Sequence, residues 1–437
     1  MKINCFLGIF FLLIGLNATA QTTKTLYTPT CAYMDEIVVG RVASDSVHII
    51  SYHNHAQNGE FIWSNPATFS GLKFFLDNDM RVYDFERISD TIFFCGTNNG
   101  RGMVGYFTES LFTSGSGTVE HYIVPQLATL TKMEVYADPI SGNHIVAAVG
   151  EDPIDYVTQY IKTWIVIIDF LGANISYEYH YENKPADTRY FQDIAVTKNK
   201  IITSGLYNHI IGQFLLTVID KSAINIFDYN IFSETAGDQN SYSYSIEHLK
   251  DDEVAVSTLV HHYTYPYNYC SPVHVFDATS GSIINSQTVP LVSKLAQYYE
   301  MKYFPKEDKL LLLQTNYYPN EDTINSVIYY IKPYNPISYY SFLIYDPKSY
   351  YYSLDRYSDY DLLASGNLKT DEHSFMIHHI KDNPPFICFE SDKIYIEKNS
   401  IYNSQSYQIT IQNTSSANPN YLNVKPIALG MTLKCEQ

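Results

Sequence analysis

The chain has 437 residues, 46% of them hydrophobic, 15% aromatic and only 17% charged, which is enough apolar material for a sizeable core and rules out a disordered tail. Its 46 Asp and Glu against 28 Lys and Arg leave a formal charge of -18, which repels phosphate backbones and anionic lipid and argues against a nucleic-acid partner. No GxSxG elbow, HExxH helix, Walker loop or CxxC pair occurs, so no named catalytic or metal motif assigns a reaction.

The first element is an export signal. Lys2 precedes the apolar run FLGIFFLLIGL, Phe6 to Leu16, and Ala18-Thr19-Ala20 supplies a small-residue cleavage box. The run is short of the roughly 20 apolar residues a spanning helix needs. Residues 1–20 therefore read as a signal peptide, with a mature chain from Gln21 that is exported to the periplasm, the cell surface or the medium without membrane insertion. Five cysteines follow it, Cys31, Cys95, Cys270, Cys388 and Cys435, too few and too scattered for a disulfide framework. A clasp between Cys31 and Cys435 is one reading, and isolated buried thiols are the favoured one.

From residue 44 onward one motif recurs: a turn, then an apolar run ending in a small or polar residue. It reads SDSVHIIS to Ser51, SDTIFFCG to Gly96, GNHIVAAVG to Gly150, NKIITSG to Gly205, DDEVAVST to Thr258, EDKLLLLQ to Gln314 and DYDLLASG to Gly366. The spacings are 45, 54, 55, 53, 56 and 52 residues. Upstream of most copies lies a mixed segment such as RVYDFERI, KMEVYADP, RYFQDIAV, YSIEHLKD, YYEMKYFP or YYSLDRYS. Downstream comes a second apolar run, as in MVGYF, WIVIID, FLLTVID, VHVFD and SFMIHHI. Short runs rich in Val, Ile, Tyr and Phe, bounded by Asp, Asn, Gly and Ser, are strands joined by hairpins.

Three to four strands at a period near fifty predict an all-β fold of β-propeller type, most simply seven blades over residues 21–383. Six or eight blades, or packed β-sandwiches, stay open as alternatives. The pattern resembles secreted bacterial propellers of Kelch-like, PQQ-like and YVTN-like type, and FDATSG at Phe276 to Gly281 is similar to the D-x-x-x-G hairpin of PQQ-like blades. The blade-closing Trp is missing, since the chain has only Trp63 and Trp164, so the resemblance implies a fold and no mechanism. Asp45-Ser46-Val47, Asp90-Thr91-Ile92 and Asp322-Thr323-Ile324 resemble the O-glycosylation acceptor of exported proteins of the Bacteroidota, which suggests that origin. Residues 384–437 depart from the repeat and read as further strands that complete a blade or form a small appendage.

If the seven runs are equivalent strands, the loops after them open at one end of the fold. Those loops hold His53, His55, Tyr207, His209, His261, His262, Tyr263, Tyr265, Tyr267, Tyr269, Tyr317, Tyr318 and His373. Tyr and His pair flat bodies with hydrogen-bonding tips, which suits stacking on a sugar ring or burial against a protein. A chain with 41 Tyr also uses that residue simply as a β-former. His53 and His55 have metal-ligand spacing but no assignable third ligand, and Leu76 to Met80 reads as a polar turn, so no metal or cofactor is expected. Three functions remain: a binding module for a glycan or protein partner, a glycoside hydrolase using loop carboxylates such as Glu151, Asp152, Glu321, Asp322 and Asp371, or a scaffold without a small ligand. The binding module is favoured, and enzyme activity is left open.

Overall fold

The computed structural model describes residues 22–27, 38–44, 47–54, 57–65, 70–76, 79–114, 116–124, 129–138, 142–151, 162–169, 174–182, 189–207, 213–221, 226–231, 241–261, 269–290, 296–318, 323–334, 339–344, 349–356, 361–368, 374–381, 401–405, 410–412, 420–424, 427–428 and 431–436. Residues 1–20, where a signal peptide is expected, and Cys31 and Cys388 lie outside them. Among the described residues no helix is long and apolar enough to cross a membrane.

The chain begins with β1 (Thr22–Tyr27), and from there it builds antiparallel sheets in sequence order. The first sheet holds β2 (Val38–Ser44), β3 (Val47–Asn54), β4 (Gln57–Asn65) and β5 (Ser70–Phe75). The second holds β6 (Met80–Ile88), β7 (Thr91–Asn98), β8 (Arg101–Thr108) and β9 (Gly117–Ile123), with a short helix α1 (Ser110–Ser114) before β9. The third holds β10 (Thr129–Ala137), β11 (His144–Glu151), β12 (Lys162–Asp169) and β13 (Asn174–Glu182). The fourth holds β14 (Arg189–Val196), β15 (Lys200–Tyr207), β16 (Gln213–Asp220) and β17 (Ile226–Ile231). The fifth holds β18 (Ser241–Lys250), β19 (Glu253–His261), β20 (Tyr269–Asp277) and β21 (Ser282–Pro290). The sixth holds β22 (Ala296–Phe304), β23 (Lys309–Tyr318), β24 (Thr323–Ile331) and β25 (Tyr339–Ile344). The seventh joins β26 (Ser349–Arg356), β27 (Asp361–Leu368) and β28 (Ser374–Lys381) to β1, which pairs antiparallel with β28 from Thr22↔Ile380 to Tyr27↔Phe375.

The recurring apolar run is the second strand of every sheet, and the mixed segment upstream is the first. Each first strand lies against the first strand of the next sheet, β2 to β6 and onward to β26, and β26 lies against β2, so the contacts close on themselves. First strands therefore line an axis. Strands further from it bury their side chains between neighbouring sheets.

Those interfaces are apolar. Between the first and second sheets Phe61, Phe74, Phe85, Phe94, Phe107 and Phe112 form one cluster, with Phe61 and Phe107 rings 4.9 Å apart at 69° and Phe74 and Phe107 5.2 Å apart at 87°. Edge-on contacts of this kind suit the ring quadrupoles. The next interfaces are aliphatic, built from Val146, Ala148, Val166 and Ile168, then Ala147, Val149, Ile165 and Ile201, then Ile202, Val218, Val254 and Val256. Cys95 is a free thiol at 0% exposure, with Sγ 3.7 Å from the Leu130 carbonyl. Burial first and the nearby Asp84 carboxylate second push that thiol well up in pKa.

Turn chemistry holds the register. Asn99 and Gly100 both have positive φ, at 52° and 70°, in the two-residue link between β7 and β8. In FDATSG the Asp277 carboxylate accepts from the Thr279 N–H at 2.8 Å and the Ser280 hydroxyl at 2.6 Å, and Gly281 takes φ 69°. The first strands carry a recurrent bulge, at Tyr83, Thr131, Gln192, Tyr244 and Tyr352, judged by the register shifts around them. Gly96 and Gly150 face it on the second strand: a Cβ there would meet the Arg81 carbonyl oxygen at 1.8 Å or that of Thr129 at 1.7 Å. The glycines that end four of the repeat runs, Gly96, Gly150, Gly205 and Gly366, each pair with the residue just before a bulge.

After β28 the chain returns along the outer edges. β29 (Ile401–Gln405) pairs with β17, β30 (Thr410–Gln412) with β13, β31 (Asn420–Val424) with β9, β32 (Ile427–Ala428) with β5 and β33 (Met431–Glu436) with β1. Five sheets thus gain a fifth strand in the reverse of chain order, which pairs backbone groups that an outer edge would otherwise leave open.

Candidate functional site

The axis holds a cavity of ≈ 430 Å³, lined by the first strands of the second to seventh sheets. Asp84, Glu86, Glu134, Asp193, Glu247, Glu300 and Asp355 bring seven carboxylates to it, against Lys132, Lys302 and Arg87. Arg87 is already engaged, with Nε and Nη2 donating to Glu109 Oε2 at 3.0 and 2.8 Å, while Trp63 Nε1 donates to Glu109 Oε1 at 3.2 Å. The cavity therefore has a negative field.

The register explains why the acids gather there. Asp84, Lys132, Asp193, Ser245 and Ser353 each directly follow a bulge, and Glu86, Glu134, Glu247 and Asp355 stand two residues further on. Side chains two apart along a strand share a face, so two tiers of equivalent positions encircle the axis.

Most of these carboxylates serve the backbone. A first strand has no strand beyond it, so alternate N–H groups face the axis without a ladder partner. The next sheet's donors are taken by the carboxylate of the sheet before. Asp84 Oδ2 accepts from Met133 N at 3.3 Å, and Glu86 Oε2 from Val135 N at 2.7 Å. Asp193 Oδ2 accepts from Ile246 N at 2.9 Å, Glu247 Oε1 from Tyr303 N at 2.9 Å, and Glu300 Oε2 from Leu354 N at 2.8 Å. Asp84 and Asp193 also take the N–H of the following residue, at 3.0 and 2.9 Å. Each acid thereby stitches its sheet to its neighbour.

Glu134 departs from this pattern. It sits at the register position of Glu86 and Glu247, yet among the described residues its carboxylate makes no hydrogen bond. Burial first, then the Glu86 charge, pushes its pKa well up, with Lys302 opposing and Glu247 and Asp193 adding to the rise. Glu247 is raised to about 7, chiefly by burial, against the pull of Lys302 and of the Tyr303 N–H. Asp193 is raised by burial despite Lys132 and its two backbone donors. His248, at the rim, is pushed down by burial. Ser245, 2% exposed and lining the cavity, also has no hydrogen-bond partner.

Those of the Tyr and His positions singled out from sequence that fall on described residues lie at the other end of the fold. His53, Tyr207, His261, Tyr317 and Tyr318 stand at the C-terminal ends of second strands, and Tyr269 opens β20 opposite His261. They belong to strands rather than to loops, because β-forming residues carry the ladder up to the hairpin. Second strands run antiparallel to first strands, so these ends pair with the starts of the first strands, whereas Arg87, Val196 and His248 line the cavity at their finishing ends. His55, His209, His262, Tyr263, Tyr265, Tyr267 and His373 lie outside the described residues, as do Asp152, Glu321, Asp322 and Asp371. Among the described residues no three His, Cys, Asp or Glu side chains are placed to hold one metal ion.

The axial acids were missed by the sequence reading although they stand in the quoted upstream segments, RVYDFERI, KMEVYADP, RYFQDIAV, YSIEHLKD and YYEMKYFP. An acidic residue in the mixed segment upstream of six of the seven repeat runs was the available signal.

No family model matches the chain, and no curated protein matches it. Among solved structures it is similar to an ancestral GH74 enzyme, at 10% identity and TM-score 0.48, covering 80% of this chain and 47% of that one. It is also similar to an acylaminoacyl peptidase in complex with Z-Gly-Gly-Phe-chloromethyl ketone, at 10% identity and TM-score 0.45, covering 80% and 51%. A protein of unknown function from Dyadobacter fermentans gives 7% identity and TM-score 0.43, covering 83% and 98%. The chain spans about half the length of the first two. Identities and scores this low assign neither activity nor ligand.

Proposed function

We propose that the chain is an exported seven-bladed β-propeller that acts as a binding module, taking a glycan or protein partner at the end of the ring where the second strands finish. The observation that carries this reading is the equivalence of those strand ends. β3, β15, β19 and β23 occupy the same place in four sheets and finish in His53, Tyr207, His261 and Tyr317-Tyr318, with Tyr269 paired across from His261. A rigid sheet scaffold that presents amphipathic aromatic residues from several repeats at one end is suited to recognition, since binding residues concentrate where a scaffold's connections emerge.

The test is a glycan-array and polysaccharide pull-down screen on the chain from Gln21, run beside Tyr317→Ala/Tyr318→Ala and Tyr269→Ala variants. Binding lost in the variants at an unchanged melting temperature supports the site. Glycan binding that survives all three substitutions removes it from this end of the ring, and a chain that binds no glycan leaves a protein partner as the reading.

A further inference from the structure

Two polar groups on the axis have no hydrogen-bond partner among the described residues, and they flank one strand. Glu134 belongs to the third sheet and Ser245 to the fifth, on either side of β14 with its Asp193. At Glu134's register position Glu86 and Glu247 each accept a backbone N–H of the next sheet; at Ser245's, Asp84 and Asp193 each accept two. The stitching that accounts for the other acids therefore leaves these two groups over. Ser245 is cross-strand from Ser257, whose hydroxyl is fully buried and also unsatisfied, and Ser204, cross-strand from Asp193, is in the same condition. Buried polar groups of native proteins are almost always satisfied, by protein, water or ligand.

We propose that the axial cavity is a second binding site, distinct from the Tyr and His end, which takes a compact organic cation carrying primary ammonium groups, with Glu134 and Ser245 among the groups that hold them. An ammonium offers three donors and accepts none, which matches a carboxylate, a hydroxyl and the surrounding acids. The excess of carboxylates over Lys132, Lys302 and Arg87 favours positive charge throughout the cavity. A metal ion is the weaker fit, because the described acids do not converge on one point, whereas a diamine spans separated carboxylates. At about 430 Å³ the cavity is of ordinary small-ligand size.

Glu134 gives the site a signature. Burial and the charges of Glu86, Glu247 and Asp193 push its pKa well up and so favour its protonated form while the cavity is empty of cations. An arriving ammonium favours the carboxylate and expels that proton, with Lys302 and Lys132 the nearby cations that temper the change.

The experiment is calorimetric titration of the chain from Gln21 with putrescine, with magnesium chloride and 1,4-butanediol as comparison ligands, each at pH 7 in PIPES and in HEPES, buffers without a primary amine. Expected is saturable binding of putrescine alone, with a heat that differs between buffers by the ionisation of released protons. Glu134→Gln should weaken it at least tenfold and shrink the buffer difference, leaving the share that Glu247 supplies. Ser245→Ala should weaken it severalfold while leaving the buffer difference, and Tyr317→Ala/Tyr318→Ala should leave both intact. No saturable heat from putrescine, equal affinity in a folded Glu134→Gln variant, or equally tight magnesium binding would overturn the proposal. Loss of glycan or protein binding at the strand ends leaves it untouched.

Discussion

The interface between the first two sheets and the axis are packed by opposite chemistries. Between the sheets Phe61 is buried at 0% exposure, with Phe74, Phe85, Phe94 and Phe107 all within 5.7 Å of its ring centroid. At the axis neighbouring sheets meet through carboxylates and backbone N–H groups. The second and third strands have ladder partners on both sides and need only apolar surface to bury. The first strands lack one ladder partner, so polar side chains must supply it. One repeat thus needs an oily second strand and an acidic first one.

Several measurements break or sharpen this contrast. The largest effect belongs to the oily side: Phe61→Ala should cost about 3–5 kcal/mol in denaturant unfolding, because a ring with four aromatic neighbours leaves a cavity that cannot collapse fully. A loss below about 1 kcal/mol would mean that the cluster repacks. On the axis, Asp193→Ala strands the Ile194 and Ile246 N–H groups and should cost about 1–3 kcal/mol, with Asp193→Asn in between, since its amide oxygen keeps one donor. An alanine variant as stable as wild type would show that water replaces the stitch.

Glu247 tests the same side by pH. Its folded pKa of about 7 exceeds the ordinary 4.5, so the folded state binds more protons and stability falls as pH rises from 4.5 to about 7, then levels. His274, held at about 4 by burial, acts oppositely: the unfolded state binds more protons below 6.5, and stability falls as pH drops towards 4. Comparing Glu247→Gln with wild type cancels the histidine, and the variant should gain stability relative to wild type between pH 5 and 8. A constant difference across that range would deny Glu247 its shift. The smallest effect lies outside both regions. Lys200 pairs with Asp220 at 2.9 Å on a partly exposed edge, and Lys200→Ala should cost less than about 1 kcal/mol, a loss that shrinks in salt.

How much was legible follows from which forces are local. Runs such as SDTIFFCG and NKIITSG announce their strands, because β-branched and aromatic residues between Asp, Asn and Gly turns leave no competing helix period. In the sequence Gly96 and Gly150 were simply small residues ending an apolar run. They prove to be places where the bulged partner strand approaches too closely for a Cβ, a fact about a different segment of chain. The second strand of each sheet, the turn before it and the mixed strand upstream were thus determined by the amino-acid order alone. Only the tertiary structure decided that Glu86 meets Val135, that Asp193 meets Ile246, and that Glu134 and Ser245 are left over. The outer return of β29 to β33 belongs with these, since a short strand has no say in which edge it joins. Strand propensity is written in neighbouring residues, whereas the worth of a carboxylate depends on the donor across the axis, some fifty residues away.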